Sequence, residues 1–412
     1  MRNFDVHVCL VSDQALPNLI PVLASPSLPR KVILLVSDEK QCQAKYLASA
    51  LKESGIKDIE FVTVADVYSP NKMREDLLQL LTDDHYFSEG KQTNIALNAT
   101  GGTKLMSMAA FEMFSSEKWP CFYYQDSGKL IYLNDESLGE ARPKKMRIEQ
   151  CLTAHGVGLA QPLQRTDLIS HRELTDKIMQ GGFQDEIAAL NGVLAKTYNK
   201  NTGEADYPKS ANQQKLDVLV DFFEQYGLLK TEGRKKLHFE SEQKYRCVHG
   251  GWFEEYVFRA INKIAGVQDC ALAAKVIYSS NSGNEAKERR QSEDNDLDVV
   301  LMYNNRLHII ECKTKNYNEM GNEKELNEAR NKLETLKKVG GSSSKVAFVS
   351  YQRFKKPESK QASQKQQQNG RKNEKKSKTI QEKFSAAGIA LFEQQDVRGL
   401  DAWLEKFLNS QN

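Results

Sequence analysis

One stretch, DNDLDVVLMYNNRLHIIECKTK at 294–315, limits the fold of this 412-residue chain more than any other. Leu297 and the run from Val299 through Met302 are apolar, and Leu307, Ile309 and Ile310 form a second apolar group. Between them, Asn304-Asn305 tolerates positive φ, so the two runs are predicted to be antiparallel strands joined by a tight turn. Such a hairpin brings the start of its first strand level with the end of its second, which puts Asp298 beside Glu311 and Lys313. Residues two apart on a strand share a face, so Glu311 and Lys313 point the same way and Cys312 the other, into the core.

Two close carboxylates repel unless neutralised, and the usual neutraliser is a hard divalent cation with oxygen ligands, here Mg²⁺ or Mn²⁺ on Asp298 and Glu311. Metal and lysine together lower the pKa of a water and stabilise the charge that develops on a phosphate under attack. This is the equipment of a phosphodiesterase; the plainer alternative is a hairpin with solvated charges at its ends. Asp294, Asp296 and Asp298 also alternate as in a calcium loop, but the sixth position of such a loop needs Gly and here is Val299. Asp296 stays as an alternative ligand.

D-x12-E-x-K across a hairpin resembles the PD-(D/E)xK nuclease core, the restriction-endonuclease-like fold. The resemblance implies a preceding helix that supplies a further Glu, and GGWFEEYVFRAINKI at 250–264 fits. At 100° per residue, Phe253, Val257, Ala260, Ile261 and Ile264 make its buried stripe. Glu254 falls at the edge of that stripe facing inward and Glu255 points away, so the expected catalytic set is Glu254, Asp298, Glu311 and Lys313.

A length of 412 residues suits two or three domains. With 40% hydrophobic and 27% charged residues it reads as a soluble protein. No apolar run approaches the roughly 18 residues needed to span a membrane, and no secretory segment follows Met1, so the expected location is the cytoplasm. Seven scattered cysteines without C-x-x-C spacing argue against zinc and against a disulfide framework.

Residues 1–145 alternate strand and helix signals. VHVCLVS (6–12) and KVILLVS (31–37) are continuous apolar runs, as buried parallel strands are; IEFVTVAD (59–66), TNIALNATGGTK (93–104) and a hairpin over 121–134 follow, with helices between. The pattern predicts an α/β fold with a Rossmann-like doubly wound sheet, whose ligands sit at the carboxyl ends of the strands. Asn98-Ala99-Thr100-Gly101-Gly102-Thr103-Lys104 follows a strand and opens a helix, an arrangement suited to an anion, and Ser12-Asp13-Gln14 follows the first strand in the equivalent place. The loop is neither a Walker A nor a G-x-G-x-x-G sequence, and a tight turn without a ligand is the plainer reading of its glycines.

An N-terminal Rossmann-like domain with N-A-T-G-G-T-K after a strand, joined to a C-terminal nuclease, resembles the CARF sensor domains of CRISPR-associated ancillary nucleases. The resemblance implies a homodimer whose two CARF domains form one pocket for a cyclic oligoadenylate, usually the tetra-adenylate. Binding there would activate metal-dependent cleavage of DNA or RNA in type III CRISPR antiviral defence. It also implies that Asn98, Thr100, Gly101, Gly102, Thr103 and Lys104 cradle phosphate and ribose, with Ser12, Asp13 and Gln14 added by loop position. The expected domains are a CARF-like sensor at 1–145, a helical, winged-helix-like connector at 146–245, and a nuclease domain at 246–412 with a disordered basic insertion at 355–379. A regulator that binds nucleic acid without cutting, and a constitutive repair nuclease, are the competing function classes.

Overall fold

The computed structural model describes residues 3–83, 94–125, 128–135, 137, 140–141, 145–166, 171–278, 296–317, 323–341, 344–354, 379–393 and 399–410. In chain order the strands are β1 (Val6–Leu10), β2 (Lys31–Val36), β3 (Asp58–Thr63), β4 (Ile95–Asn98), β5 (Cys121–Tyr124), β6 (Leu130–Tyr132), β7 (Glu140–Ala141) and β8 (Val157–Leu159). They continue with β9 (Glu204–Asp206), β10 (Lys230–Glu232), β11 (Lys236–His238), β12 (Val267–Tyr278), β13 (Asp296–Tyr303), β14 (Arg306–Lys313), β15 (Lys345–Ser350) and β16 (Ile389–Glu393). The chain divides into two compact units: Met1–Leu163 with Gly266–His308 and Lys337–Ser344, and Gln164–Ala265 with Ile309–Leu336 and Lys345–Asn412.

In the first unit a seven-stranded sheet runs β3-β2-β1-β4-β5-β6-β7. The pairs among β3, β2, β1, β4 and β5 are parallel, and every residue of β1 and β2 is buried, as the continuous apolar runs require of central strands. Strand order reverses between β1 and β4, which makes their carboxyl ends the switch point of the sheet. The expected Rossmann-like architecture is present. So is the hairpin of β5 and β6, which pair antiparallel.

The helix Leu16–Ala24 was not foreseen, and it carries two prolines, Pro17 and Pro21. Pro17 lies in the first turn, where an amide proton has no intrahelical partner to lose, but Pro21 is interior and cannot donate to the carbonyl of Pro17. That carbonyl instead accepts the side-chain amide of Asn98 at 2.8 Å, so the helix tolerates the proline by docking onto the end of β4.

His7, in the middle of β1, is fully buried between the rings of Phe4 and Phe122, with Nε2 3.3 Å from the hydroxyl of Ser25. Burial lowers its pKa to about 4, below the ordinary value of 6.5. The unfolded chain therefore binds a proton that the folded chain refuses between these values. Stability is complete above pH 6.5 and falls as pH drops toward 4, by about 3 kcal/mol from this one group. Denaturant titrations at pH 7 and 5 should show this loss, and His7→Leu should remove that part of the slope; an unchanged slope would mean that His7 does not set it.

The same unit holds the long strand β12, which pairs antiparallel with β13 and, at its far end, with β8. The helix Ile148–Ala154 precedes β8, and the Ile148 amide donates to Asp269 on β12. The structure thus places the beginning of the stretch read as a connector in the first unit. Between β13 and β14, Asn304 and Asn305 both have φ near +50°, the tight turn expected of the pair.

The second unit contains the helices Arg172–Gly181, Gln184–Thr197 and Gln213–Gln225 with a three-stranded antiparallel sheet β10-β11-β9. Gly182, left-handed, ends the first of these helices, and Gly227 with φ +68° follows the third. This unit also holds the helix Trp252–Asn262, the parallel pair β15 and β16, the helix Glu323–Leu336 and the terminal helix Gly399–Asn409. Within this unit the strands run β16-β15-β14. Among the described residues no helix is long and apolar enough to cross a membrane.

Candidate functional site

Glu311 and Lys313 lie at the end of β14, on one face as the period of a strand requires, while Cys312 is buried on the other. The Glu311 side chain is 3% exposed. Lys313 places its ammonium 2.6 Å from Oε1. A second ammonium, that of Lys332 on the helix Glu323–Leu336, stands 3.1 Å from Oε2 and 3.3 Å from Oε1. Burial pushes the Glu311 carboxyl up, but the two lysines outweigh it and hold the pKa below the usual value, so the group is an anion at neutral pH. Lys332 is absent from any motif, and only its place on a charged helix shortly after E-x-K could have drawn attention to it.

The end of β14 is firmly held. The Tyr351 amide donates to the Lys313 carbonyl at 2.9 Å, Asn191 donates to Thr314 Oγ1 at 2.8 Å, and Gln352 donates to the Thr314 carbonyl. Gly250, just before the helix Trp252–Asn262, has φ +152°, and a side chain there would come within 3.2 Å of Thr314 Oγ1. The start of that helix therefore sits against the end of β14, which brings its first-turn residues Glu254 and Glu255 to the same region of the unit.

One expectation about this helix is corrected. Glu255 does not point away: it is 2% exposed and lies 3.7 Å from Arg259, while Glu254 is only partly buried. The helix buries a second stripe, Trp252, Glu255 and Phe258, beside the one read from the sequence. Trp252 packs edge-on against Tyr351, and Arg259 reaches Thr175 on another helix. A single amphipathic stripe was the wrong template for a helix packed on two sides.

Asp298 is buried at 9% exposure in β13, in the first unit, and Asp296 faces Lys275 of β12 in the register. Asp294 and residues 355–378 of the basic stretch lie outside the described residues. Thr379, the last residue of that stretch, caps the helix Ile380–Ala386. Among the described residues no three His, Cys, Asp or Glu side chains gather closely enough to hold a metal by themselves. The donors on hand are hard carboxylate oxygens, which suit Mg²⁺ or Mn²⁺, ions that need one or two carboxylates and complete their shell with water.

In the first unit the two loops of the sensor come together at the switch point. A side chain on Gly101 would lie 1.9 Å from the Leu10 carbonyl, so only glycine lets the β4 loop cross the end of β1, and Gly102 has φ +72°. Asn98 is fully buried. Its amide donates to Pro17 and to Asn18 Oδ1, and its Oδ1 accepts from the Thr100 amide and hydroxyl. Thr100 Oγ1 in turn accepts the Tyr124 amide at 2.8 Å, and Asn18 donates to the Leu10 carbonyl at 2.7 Å. This network ties the ends of β1, β4 and β5 to the first helix. Asn98 and Thr100 thus shape the loop from within, and Asn18, hidden in the unforeseen helix, belongs with them.

Thr103 caps the helix Lys104–Ser116 by accepting from the Met106 amide, and its hydroxyl donates to the Val67 carbonyl. Lys104 is exposed at the first position of that helix. Across from it, Ser12 and Gln14 close a small turn through the serine hydroxyl, and Asp13 is held by Lys40 at 2.8 Å and by Gln43. What this switch point offers an anion is a helix start and the Lys104 ammonium, set on a rigid hydrogen-bonded frame.

Two family models match successive parts of the chain. The family described as "Card1 CARF domain" matches residues 6–153, and the one described as "Card1-like, endonuclease domain" matches residues 241–370. Protein VC1899 from Vibrio cholerae shares 20% identity with a TM-score of 0.76, covering 98% of this chain and 97% of its own. Can2 from Sulfobacillus thermosulfidooxidans, solved in complex with cyclic tetra-adenylate, shares 23% identity with a TM-score of 0.70, covering 98% and 99%. A type III CRISPR defence DNA nuclease activated by cyclic oligoadenylate shares 17% identity with a TM-score of 0.54, covering 85% of this chain and 46% of that one. No curated protein matches the chain.

Proposed function

Because this chain is a CARF nuclease, with a Card1-type CARF domain and a Card1-like endonuclease domain, we propose that it is a metal-dependent endonuclease switched on by a cyclic tetra-adenylate. The observation that carries the reading is Glu311, a buried carboxylate kept ionised by lysines at the end of a strand, with Lys313 two residues on. A hairpin that turns at Asn304-Asn305 would pair Asp298 with Glu311 by count of residues. Asp298 and Glu311 would hold a Mg²⁺ or Mn²⁺ ion. When bound, that ion lowers the pKa of a water and offsets charge on the scissile phosphate. Lys313 meets the developing negative charge and orients the attacking water. Glu254, partly exposed in the first turn of its helix, accepts a hydrogen bond from the water shell.

The activator is proposed on two grounds. The switch point of the parallel sheet carries a capped helix start and an exposed lysine, and the similar Can2 structure holds cyclic tetra-adenylate. A ring with several phosphates calls for the same loop from two copies, so the working unit is a homodimer acting in the cytoplasm on DNA or RNA.

Incubation with tri-, tetra- and hexa-adenylate rings plus Mn²⁺, scored on plasmid, single-stranded DNA and RNA, tests the proposal. Cleavage is expected only with metal and with the tetra-adenylate ring. Equal cutting without any ring would instead identify a constitutive nuclease, and ring binding without cutting a regulator.

A further inference from the structure

We propose that Lys332 holds Glu311 closed to a divalent cation, and that this lysine, not Lys313, withdraws before metal binds; the inference rests on the metal-dependent reading above. Both oxygens of Glu311 are engaged. Lys313 sits on Oε1 at 2.6 Å, and Lys332 contacts Oε2 at 3.1 Å and Oε1 at 3.3 Å. A Mg²⁺ ion bonds a carboxylate oxygen at about 2.1 Å and tolerates little distortion. An ammonium on the same oxygen would stand against its double charge in a site that is almost dry, so metal and lysine exclude one another there.

The structure distinguishes the two lysines. Lys313 belongs to the same strand as Glu311, its carbonyl is tied to the Tyr351 amide, and it contacts Oε1 at 2.6 Å. Lys332 arrives from a separate helix, anchored by the buried Leu326, Leu333 and Leu336, with its own side chain 27% exposed. Its four-carbon stem rotates freely enough to exchange partners. One turn back on the same helix is Glu328, whose side chain is 62% exposed and joined only loosely, at 3.8 Å, to Lys324. Glu four residues ahead of Lys is the favourable order for a helical ion pair, so a released Lys332 has a partner waiting. Exchange of Lys332 from Glu311 to Glu328 frees Oε2 for the metal and leaves Lys313 in place for the phosphate.

The test uses the full chain and Mn²⁺ alone, without ring or substrate, in calorimetric or paramagnetic-resonance titrations of wild type, Lys332→Gln and Lys332→Arg. Lys332→Gln should bind Mn²⁺ roughly tenfold more tightly, the size of one charge-assisted hydrogen bond to a buried carboxylate. Lys332→Arg keeps the charge and should bind as wild type does, which separates loss of the ammonium from a disturbance of the helix; thermal midpoints check that both variants fold. Unchanged or weaker Mn²⁺ binding by Lys332→Gln would overturn the proposal. So would lost cleavage at unchanged metal affinity, which would assign Lys332 to the substrate phosphate. Tighter metal binding with no cleavage by any variant would count against the nuclease reading while leaving the lysine assignment standing.

Discussion

Glu311→Gln should abolish cleavage while leaving the affinity for a cyclic tetra-adenylate unchanged. The neutral amide keeps the shape of the side chain but removes the charge on which Lys313, Lys332 and the proposed metal all depend. Loss of metal-borne stabilisation is worth several kcal/mol, so the rate should drop by roughly 10³-fold or more. Folding should survive. Both lysines are about a third exposed and can return to water, so neither is left as a fully buried unpaired charge. Ring affinity by calorimetry, cleavage by gel and the thermal midpoint together check the claim. Near-wild-type cutting by a folded Glu311→Gln protein would mean that the end of β14 is not the active site.

Lys104→Glu should silence activation through the other domain. Lys104 is exposed at the first position of a helix whose cap is already supplied by Thr103. A carboxylate at a helix N-terminus is favourable to the helix, so the substitution should leave stability unchanged or slightly raised. The same carboxylate faces the place proposed for a phosphate. In a homodimer it does so twice, and two lost charged contacts at several kcal/mol together lower ring affinity by orders of magnitude. A ligand drives a population shift only through its preference for the active arrangement, so ring concentrations that saturate wild type should leave the variant silent. Basal cutting without ring should not change, because the catalytic side chains are intact. Ring affinity equal to wild type in a titration would remove Lys104 and its loop from the sensor.

Local sequence carried the elements whose signal is itself local. The buried runs of β1 and β2 and the Asn304-Asn305 turn follow from spacing and backbone freedom, and the structure has each of them. So does the common face of Glu311 and Lys313, which the period of a strand dictates. Partners distant along the chain were another matter. The first helix went unread, because the donor that makes Pro21 tolerable, Asn98, lies some eighty residues away. The strand β12 went unread because its small and polar residues show no clean alternation, and pairing with β13 and β8 is what holds it extended. Glu255 was turned outward by a one-stripe reading of a helix that packs on two sides. Lys332 looked like one more solvated charge on a polar helix, and only packing brought its ammonium to Glu311, twenty-one residues earlier. Spacing along a chain reports which face a side chain takes within its own element. Which charge it meets there depends on how elements pack, and that is decided by burial of surfaces far apart in sequence.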